Sequence, residues 1–385
     1  MVVGQHGNKY LEPVAMNTVF WCKNCLNMST RPRIEFDEWG WCNACRWMEE
    51  KRNLNWDERQ RNLKEILEKY RSTTNGFDCV VPVSGGKDGS YVAYNLKHKY
   101  GMHPLTVTAK PPLSLGLGNR NLEKFTGKGY DHILVSPNSE VMWRINRAGF
   151  IEMGSPYYGW LVAIFSVVIR VALAHNLRLI FYGEDGEVEY GGSTENKNVA
   201  LFGLEYMKRA YFEGGYERIM RKISYSDQEL YYWRFPSDDE LNGRELFLTH
   251  WGYFEAWDPY RNYLVAKDHY GLVESDENSS GTFTNFAQTD QALYALHTYL
   301  MYLKFGFGRA TQDAGIEIRR GAMTRDQAVN LVRLYDGQYP EEFIDTYLDY
   351  YQMTMDEFDA VLDKWANNDL FEKVDGRWNP KFLVE

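Results

Sequence analysis

The fold is decided by the stretch FDCVVPVSGGKDGSYVAYNLKHKY, which occupies residues 77–100. It begins with a short apolar run rich in valine, continues with a glycine-bearing turn, and ends in a segment with helical character. This order of strand, turn and helix is the unit from which parallel sheets are built. We therefore predict the first strand of such a sheet at residues 77–83 and a ligand-binding turn at residues 84–90.

The residues that follow continue the alternation of strands and helices. We predict further strands at residues 104–109, 131–135 and 177–182, and helices at residues 119–125, 140–150 and 157–176. Such alternation is typical of an α/β fold with a doubly wound parallel sheet and helices on both faces. From about residue 238 onward the alternation is lost, and we predict a mainly helical region.

The chain of 385 residues exceeds one average domain, and we divide it into five parts. They are a poorly ordered tail (1–15), a module with two cysteine pairs (16–50), a connecting helix (51–74), the domain of the glycine-rich turn (75–237), and a helical accessory or substrate region (238–385). In the connecting helix the apolar residues Leu63, Ile66, Leu67 and Tyr70 recur at helical spacing.

Composition excludes several classes of function. A net charge of -10 and a pI near 5.4 argue against a general nucleic-acid binder, whose phosphate contacts need clustered Lys and Arg. The most apolar stretch, residues 157–174, is interrupted by Arg170 and predicts a buried helix rather than a membrane span. Because the N-terminus also lacks the pattern of a secretory signal, we expect a cytoplasmic protein. The aromatic content of 16% suits flat ligands such as sugars, although aromatic residues more often fill a core.

Two C-x-x-C pairs near the N-terminus predict a metal site. Cys22 and Cys25 form the first pair, Cys42 and Cys45 form the second, and the sixteen intervening residues match the spacing of zinc ribbons. Four protein ligands leave no position for a water molecule, so we predict structural Zn²⁺. An iron–sulfur cluster is the alternative. The fifth cysteine, Cys79, lies in the first predicted strand and is interpreted as a small buried hydrophobe.

The turn SGGKDGS has the composition of a phosphate cradle. Backbone N–H groups in a glycine-rich turn bind anions together with the dipole of the following helix. Lys87 adds a mobile positive charge, and the spacing differs from that of a Walker A loop. The predicted phosphate-binding residues are Ser84, Gly85, Gly86, Lys87, Asp88, Gly89 and Ser90.

The turn also resembles the S-G-G-x-D-S signature of the PP-loop ATP pyrophosphatases. Gly89 is inserted before the last serine, so we expect Ser90 to be displaced from its usual position. The resemblance implies the adenine-nucleotide alpha-hydrolase fold, in which ATP is cleaved between its α- and β-phosphates. AMP is then attached to the substrate, and magnesium pyrophosphate leaves.

Three further features narrow the resemblance: the twin C-x-x-C module, GEDGE at residues 183–187, and YLKFGFGR at residues 302–309. Together with SGGKDGS they are similar to the N-acetyl sugar amidotransferases of surface-polysaccharide pathways, such as lipopolysaccharide and O-antigen biosynthesis, and of nonulosonic-acid pathways. The resemblance implies an ATP-dependent ligase that adenylates the N-acetyl carbonyl oxygen of a nucleotide-activated sugar. Ammonia then replaces that oxygen and forms an acetamidino group.

Acidic residues follow the predicted strand at residues 177–182. In a doubly wound sheet the ligand lies beyond the carboxyl ends of the strands, where this segment and the phosphate turn both fall. Glu184, Asp185 and Glu187 could hold Mg²⁺ or orient ammonia, or they could form a solvated acidic loop. With Lys87 and Asp88 they complete the predicted catalytic set.

Other charged and titratable residues are weaker candidates. Anion-binding candidates are Lys304, Arg309, Arg319 and Arg320. His250 and His297 are candidates for proton transfer. Solvated charges and structural histidines are the alternatives.

The number of cysteines outside the predicted metal site bears on two questions: the source of ammonia and the nearest alternative function. With four cysteines committed to metal, Cys79 in a strand and no cysteine following Met1, we predict that a separate glutaminase supplies ammonia. The rival is a PP-loop tRNA-thiolation enzyme, which needs further catalytic cysteines and a basic surface. A non-catalytic scaffold is a third possibility, and an intact phosphate turn argues against it.

Overall fold

The computed structural model describes residues 19–212 and 216–385. The predicted tail and the first residues of the predicted zinc ribbon lie outside these ranges. Five parallel strands form one sheet in the order β3-β2-β1-β4-β5. They are β1 (Cys79–Pro82), β2 (Pro104–Ala109), β3 (His132–Val135), β4 (Leu179–Tyr182) and β5 (Phe247–His250).

Helices cover the sheet and build the rest of the described chain. Up to β5 they are α1 (Asn43–Arg52), α2 (Trp56–Tyr70), α3 (Lys87–Tyr94), α4 (Gly116–Thr126), α5 (Ser139–Met153), α6 (Tyr158–Ala174), α7 (Gly186–Tyr190), α8 (Leu204–Phe212), α9 (Tyr216–Lys222) and α10 (Asp238–Leu241). After β5 they are α11 (Pro259–Tyr270), α12 (Leu293–Phe305), α13 (Arg309–Arg319), α14 (Arg325–Tyr335), α15 (Ile344–Tyr351) and α16 (Met355–Trp365). A small hairpin of β6 (Phe371–Val374) and β7 (Arg377–Pro380) lies near the C-terminus.

The two faces of the sheet bury two separate cores. Side chains alternate between the faces of a strand, so Val80 and Ile180 point into the core that contains α6. Cys79, Val81 and Phe181 point into the opposite core, which contains α2 and α3. Helices therefore pack on both faces of a parallel sheet, and the predicted doubly wound α/β fold is confirmed.

Helix α6 is apolar nearly all round because it lies in the first core. Its buried cation, Arg170, is 4% exposed and pairs with Glu240 at 2.6 Å, and Arg170 Nη2 also donates to the backbone oxygen of Arg234. A buried guanidinium requires such partners. Among the described residues, no helix is both long and apolar enough to cross a membrane.

Two helices in the C-terminal half begin at capping residues that the local sequence identifies. Thr324 with Gln327, and Thr354 with Glu357, each form a capping box at the starts of α14 and α16. The capping side chains satisfy backbone N–H groups that have no acceptor within the helix.

The fifth strand lies where the sequence predicts mainly helical structure. Residues 247–250 pair in parallel with β4, so the sheet extends beyond the predicted boundary at residue 238. This strand has four residues and follows the polar segment Asn242-Gly243-Arg244-Glu245, so it shows no alternation long enough to recognise.

Candidate active site

The phosphate turn lies where the strand order reverses. β1 is flanked by β2 on one side and β4 on the other, and their connections cross in opposite directions. Helices beginning on either side of this point leave a crevice beyond the carboxyl edge, which is the usual ligand site of such sheets. The turns after β1 and β4 both open onto it.

Gly85 allows the turn to pass close to α4. Its φ is +81°, and a Cβ at this position would lie 2.3 Å from the backbone nitrogen of Leu122. Only glycine combines that conformation with that approach. Gly86 is the N-cap of α3 and has no side chain to occupy the amides of the first turn, so these donors stay available for an anion.

Gly89 and Ser90, both predicted to bind phosphate, lie differently with respect to the crevice. Gly89 lines the crevice, and a Cβ there would lie 2.6 Å from the carbonyl oxygen of Pro82. Ser90 is 1% exposed and is not part of that lining, and its hydroxyl makes no hydrogen bond within the described residues. The hydroxyl of Ser90 therefore lies in the interior and not in the lining of the crevice.

The crevice encloses a cavity of about 210 Å³. One wall is the phosphate turn, with Glu184 after β4, and the opposite wall comes from residues 286–290 and the starts of α12 and α13. The charged side chains that line the cavity are Lys87, Asp88, Glu184, Asp290 and Arg309. Two cations and three carboxylates in one cavity provide groups for binding both phosphates and a divalent cation.

Two carboxylates of the cavity influence each other. Asp88 accepts from the Lys87 ammonium and, at 3.2 Å, from the amide of Asn262 on α11. Burial, followed by the negative charge of Asp88, raises the pKa of Glu184 above its ordinary value. A cation close to Glu184 would relieve this cost, and carboxylate oxygens are ligands that divalent metal ions prefer.

The two other predicted acidic residues point away from the cavity. Asp185 caps α7 and lies 3.8 Å from His250, and burial raises its pKa to about 7. Glu187 accepts two hydrogen bonds from Arg33, at 2.8 and 2.6 Å. The three carboxylates therefore diverge, and of these three only Glu184 lines the cavity.

The cavity also contains residues that the sequence analysis did not select. Asp290 and Tyr294 lie opposite the phosphate turn, and burial raises the pKa of Asp290 to about 6. Asn262 is fully buried and orients Asp88 from a helix 174 positions later in the chain. No local pattern marks these residues, because long-range packing alone brings them to the turn.

Among the weaker candidates, Arg309 reaches the cavity. A tight turn between α12 and α13 directs Arg309 into the cavity. In this turn Gly306 adopts a φ of +82°, and Gly308 has no room for a side chain, because a Cβ there would lie 2.7 Å from a carboxylate oxygen of Asp336. The other basic candidates have different contacts: Lys304 donates to the backbone of Met153, Arg319 donates to Cys25, and Arg320 pairs with Glu317 and Asp258. His297 packs against Tyr157, and burial lowers its pKa to about 3.

The four predicted cysteine ligands lie together. All are 0% exposed, their sulfur atoms lie within 4.8 Å of one another, and the contacts Cys22–Cys45 and Cys25–Cys42 measure 3.8 and 3.6 Å. Four thiolates around a metal with bonds of about 2.3 Å form a tetrahedron with edges of about 3.8 Å. The cluster is therefore suited to one tetrahedral metal ion.

Further groups surround the sulfur atoms, as is usual at metal–thiolate sites. Asn24 and Asn27 donate to the sulfurs of Cys45 and Cys42 at 3.3 and 3.4 Å. Arg319 donates to Cys25 at 3.3 Å and to the backbone oxygen of Glu189 at 3.0 Å. The cysteine module therefore contacts both α7 and α13, whose first residue is Arg309.

Comparisons with known proteins find a family match in the C-terminal part of the chain. Residues 280–383 match the family model described as LPS biosynthesis protein WbpG-like, C-terminal domain. Among solved structures, the chain is similar to the U34-tRNA thiolase NcsA from Methanococcus maripaludis, determined with its 4Fe-4S cluster. The identity is 12% and the TM-score 0.31, over 69% of this chain and 79% of that chain. A comparison with curated proteins gives no match.

The parallel sheet with the SGGKDGS turn at its switch point defines a fold of the PP-loop type. Its C-terminal part, residues 280–383, is similar to the WbpG-like family. The matched domain supplies Asp290, Tyr294 and Arg309 to the cavity of the phosphate turn. The family and the cavity both point to an enzyme.

Proposed function

We propose that this chain is an ATP-dependent amidotransferase acting on the N-acetyl group of a nucleotide-activated sugar. The acetamido oxygen attacks the α-phosphorus of ATP, the bond to the β-phosphate breaks, and pyrophosphate leaves. Ammonia then adds to the activated carbon and loses a proton, and AMP departs with the former carbonyl oxygen. The product carries an acetamidino group in place of the acetamido group.

One observation carries the proposal: the phosphate turn and the WbpG-like domain enclose the same cavity. The turn provides groups that suit ATP, and the domain family belongs to lipopolysaccharide biosynthesis, which modifies sugars. An activated imidate is easily hydrolysed, so the reaction needs an enclosed site that excludes water. The wall formed by residues 286–290 is suited to that purpose.

The residues of the cavity have distinct proposed roles. Lys87 and the first-turn amides of α3 bind the phosphates, and Arg309 approaches the same space from α13. Asp290 is a candidate acceptor for the proton that ammonia loses, since its raised pKa of about 6 lies close to neutrality. Asp185 and Glu187 are better suited to positioning α7 than to contacting substrate.

Two metals complete the proposal. Asp88 and Glu184 would hold Mg²⁺, which neutralises the charge of the departing pyrophosphate. The four cysteines would hold Zn²⁺ in a structural role, since no coordination position remains for water.

The cysteines favour this function over tRNA thiolation. Cys79 is 0% exposed on β1, and burial raises its pKa. A neutral, enclosed thiol is a poor nucleophile. Because the other four cysteines form the cluster, the chain offers neither a sulfur-transfer cysteine nor a glutamine-hydrolysing one, and we propose that a separate glutaminase supplies ammonia.

The test is turnover of a panel of UDP-, CMP- and GDP-linked acetamido sugars with ATP, Mg²⁺ and an ammonium salt. We expect one sugar to yield AMP, pyrophosphate and a product whose mass reflects replacement of oxygen by NH. Lys87→Ala should lower the rate by about 100-fold or more, because it removes a charge aimed at the reacting phosphates. Lys99→Ala is the matched control, since this lysine is exposed at the far end of the same helical segment. Turnover in the Lys87 variant equal to that in the control would refute the assignment.

A further inference from the structure

A second cavity of about 480 Å³ adjoins the phosphate cavity. The two share the residues Gln288, Thr289 and Tyr294 as a common wall. The wall is held in place by backbone hydrogen bonds, in which the N–H of Leu115 donates to Asp290 and the N–H of Ala292 donates to Leu113. A ligand in the second cavity would therefore lie directly beside the nucleotide phosphates.

The lining of the second cavity combines polar and apolar groups in about equal parts. Hydroxyl and amide groups come from Ser275, Asn278, Ser279, Ser280, Thr289 and Gln291. Glu277 and Glu342 add carboxylates that can accept hydrogen bonds from sugar or ribose hydroxyls, and Tyr294 and Phe343 add aromatic rings. This mixture matches a ligand with many hydroxyl groups and apolar ring faces.

Gln291 is the most informative residue of this lining. It is 1% exposed, its amide interacts with the phenol of Tyr294 in the same lining, and its amide oxygen has no hydrogen-bond partner within the described residues. Leaving a buried amide atom unpaired is costly, so Gln291 is suited to pairing with a polar ligand. An acetamido group presents one N–H donor and one carbonyl acceptor, and an amide side chain can pair with either.

The N-terminus of α4 carries partial positive charge from backbone N–H groups without an acceptor. Leu115 provides no side-chain cap, and the amides of Gly116 and Leu117 belong to the first turn, where no acceptor exists within the helix. Arg120 is folded back over this turn, because a Cβ on Gly116 would lie 3.4 Å from its Nη1. First-turn amides and a guanidinium together make a phosphate-binding end.

We infer that the second cavity binds the acceptor, a sugar nucleotide, with its phosphates at α4 and its acetamido group beside Gln291 and the shared wall. This inference rests on the proposed function and adds where the acceptor lies. ATP and sugar nucleotide then occupy adjoining cavities, and the acetyl oxygen meets the α-phosphate where the two cavities join, beside the residues that line both.

The test is calorimetric binding of the sugar-nucleotide panel to the full chain, saturated with Mg²⁺ and an ATP analogue that has a methylene group between its α- and β-phosphates. Arg120→Gln and Gln291→Leu should each weaken binding of the preferred sugar nucleotide by about 10-fold, which is the loss of one good polar interaction. Their affinity for the ATP analogue should equal that of the wild type. Lys124→Gln is the control, because it removes the same charge from the other end of α4, where the lysine donates to Gly271.

The outcomes separate the two proposals. If the analogue binds through Lys87 but no sugar nucleotide binds, or if binding is the same in wild type, Arg120→Gln and Gln291→Leu, the acceptor site is wrong and the nucleotide site stands. If the analogue itself does not bind, or binds equally well to Lys87→Ala, the proposed function fails first. Because Arg120 is exposed, its variant keeps the test valid should Gln291→Leu fold poorly.

Discussion

Arg33 donates two hydrogen bonds to Glu187, from Nε to Oε2 at 2.8 Å and from Nη2 to Oε1 at 2.6 Å. Arg33 lies between the two cysteine pairs, and Glu187 lies in α7, three residues after Glu184 of the cavity. The pair therefore couples the cysteine module to the acidic wall of the active site. Its planar, bidentate geometry is the strongest arrangement that these two side chains can form.

Breaking this pair should cost stability. We expect Glu187→Gln to lower the free energy of unfolding by about 1–3 kcal/mol, because a mostly buried guanidinium loses its charged partner. Glu195→Gln is the control, since that carboxylate pairs with Arg209 at the exposed surface, where the expected change is below about 0.5 kcal/mol. Urea unfolding measures the free energy of unfolding of both variants. Equal decreases would show that the Arg33–Glu187 pair stabilises the protein no more than an exposed ion pair does.

The metal should be zinc, bound once per chain. Elemental analysis of the purified protein is expected to find one zinc, and Cys42→Ser is expected to lose it. Removing the metal should also weaken ATP binding, since α7 rests on the cysteine module through Glu187 and Glu189. Iron with visible absorption would instead establish an iron–sulfur cluster, and unchanged ATP affinity in the metal-free protein would disprove the coupling.

His250 should make the protein sensitive to acid. Burial lowers its pKa to about 3, so the folded state holds it neutral while the unfolded state gains a proton below about pH 6.5. The free energy of unfolding should therefore fall as the pH decreases from about 6.5 towards 3, by up to about 2 kcal/mol at pH 5. The neighbouring Asp185, with a pKa of about 7, is itself largely protonated in this range and gives the imidazolium little support.

The variant His250→Asn should reduce the decrease in the free energy of unfolding at acidic pH. Asp185 acts with the opposite sign: because its folded pKa is raised, its contribution to stability decreases as the pH rises from about 4 to 7. Asp185→Asn should accordingly steepen the net rise of stability with pH. Unfolding curves measured between pH 4 and 8 give both slopes, and a slope that His250→Asn leaves unchanged would show that this histidine is not held neutral.

Asn262 should position Asp88. It is fully buried and donates to the Asp88 carboxylate at 3.2 Å from α11. We expect affinity for Mg²⁺–ATP to decrease in the order wild type, Asn262→Leu, Asn262→Asp, because the last change adds a negative charge beside Asp88 and near the phosphates. Binding titrations test the order, and an Asn262→Asp protein that binds ATP as tightly as wild type would rule out this role.

Local patterns account for the part of the structure that the sequence predicts. The valine-rich run at β1, the apolar spacing in α2, the two C-x-x-C pairs and the capping boxes at Thr324 and Thr354 each depend on neighbours in the chain. Such patterns specify the first four strands of the sheet, the helices between them and the cysteine cluster. The Gly-rich turn specifies its own anion-binding backbone for the same reason.

The rest depends on contacts between distant segments. β5 is too short to show a period, and it is placed by pairing with β4. The divergence of Glu184, Asp185 and Glu187 follows from the turn into α7, which no composition reveals. Asp290 and Gln291 are ordinary polar residues until packing against α4 encloses them.

The most direct test of the central claim follows the acetamido oxygen. The preferred sugar nucleotide, labelled with isotopically heavy oxygen at its acetyl carbonyl, is converted with ATP, Mg²⁺ and ammonium, and the nucleotide products are examined by mass spectrometry. We predict that the label appears in the phosphate of AMP, with unlabelled pyrophosphate. Formation of ADP, or AMP without the label, would contradict the proposal that the loop at residues 84–90 directs the α-phosphorus to that oxygen.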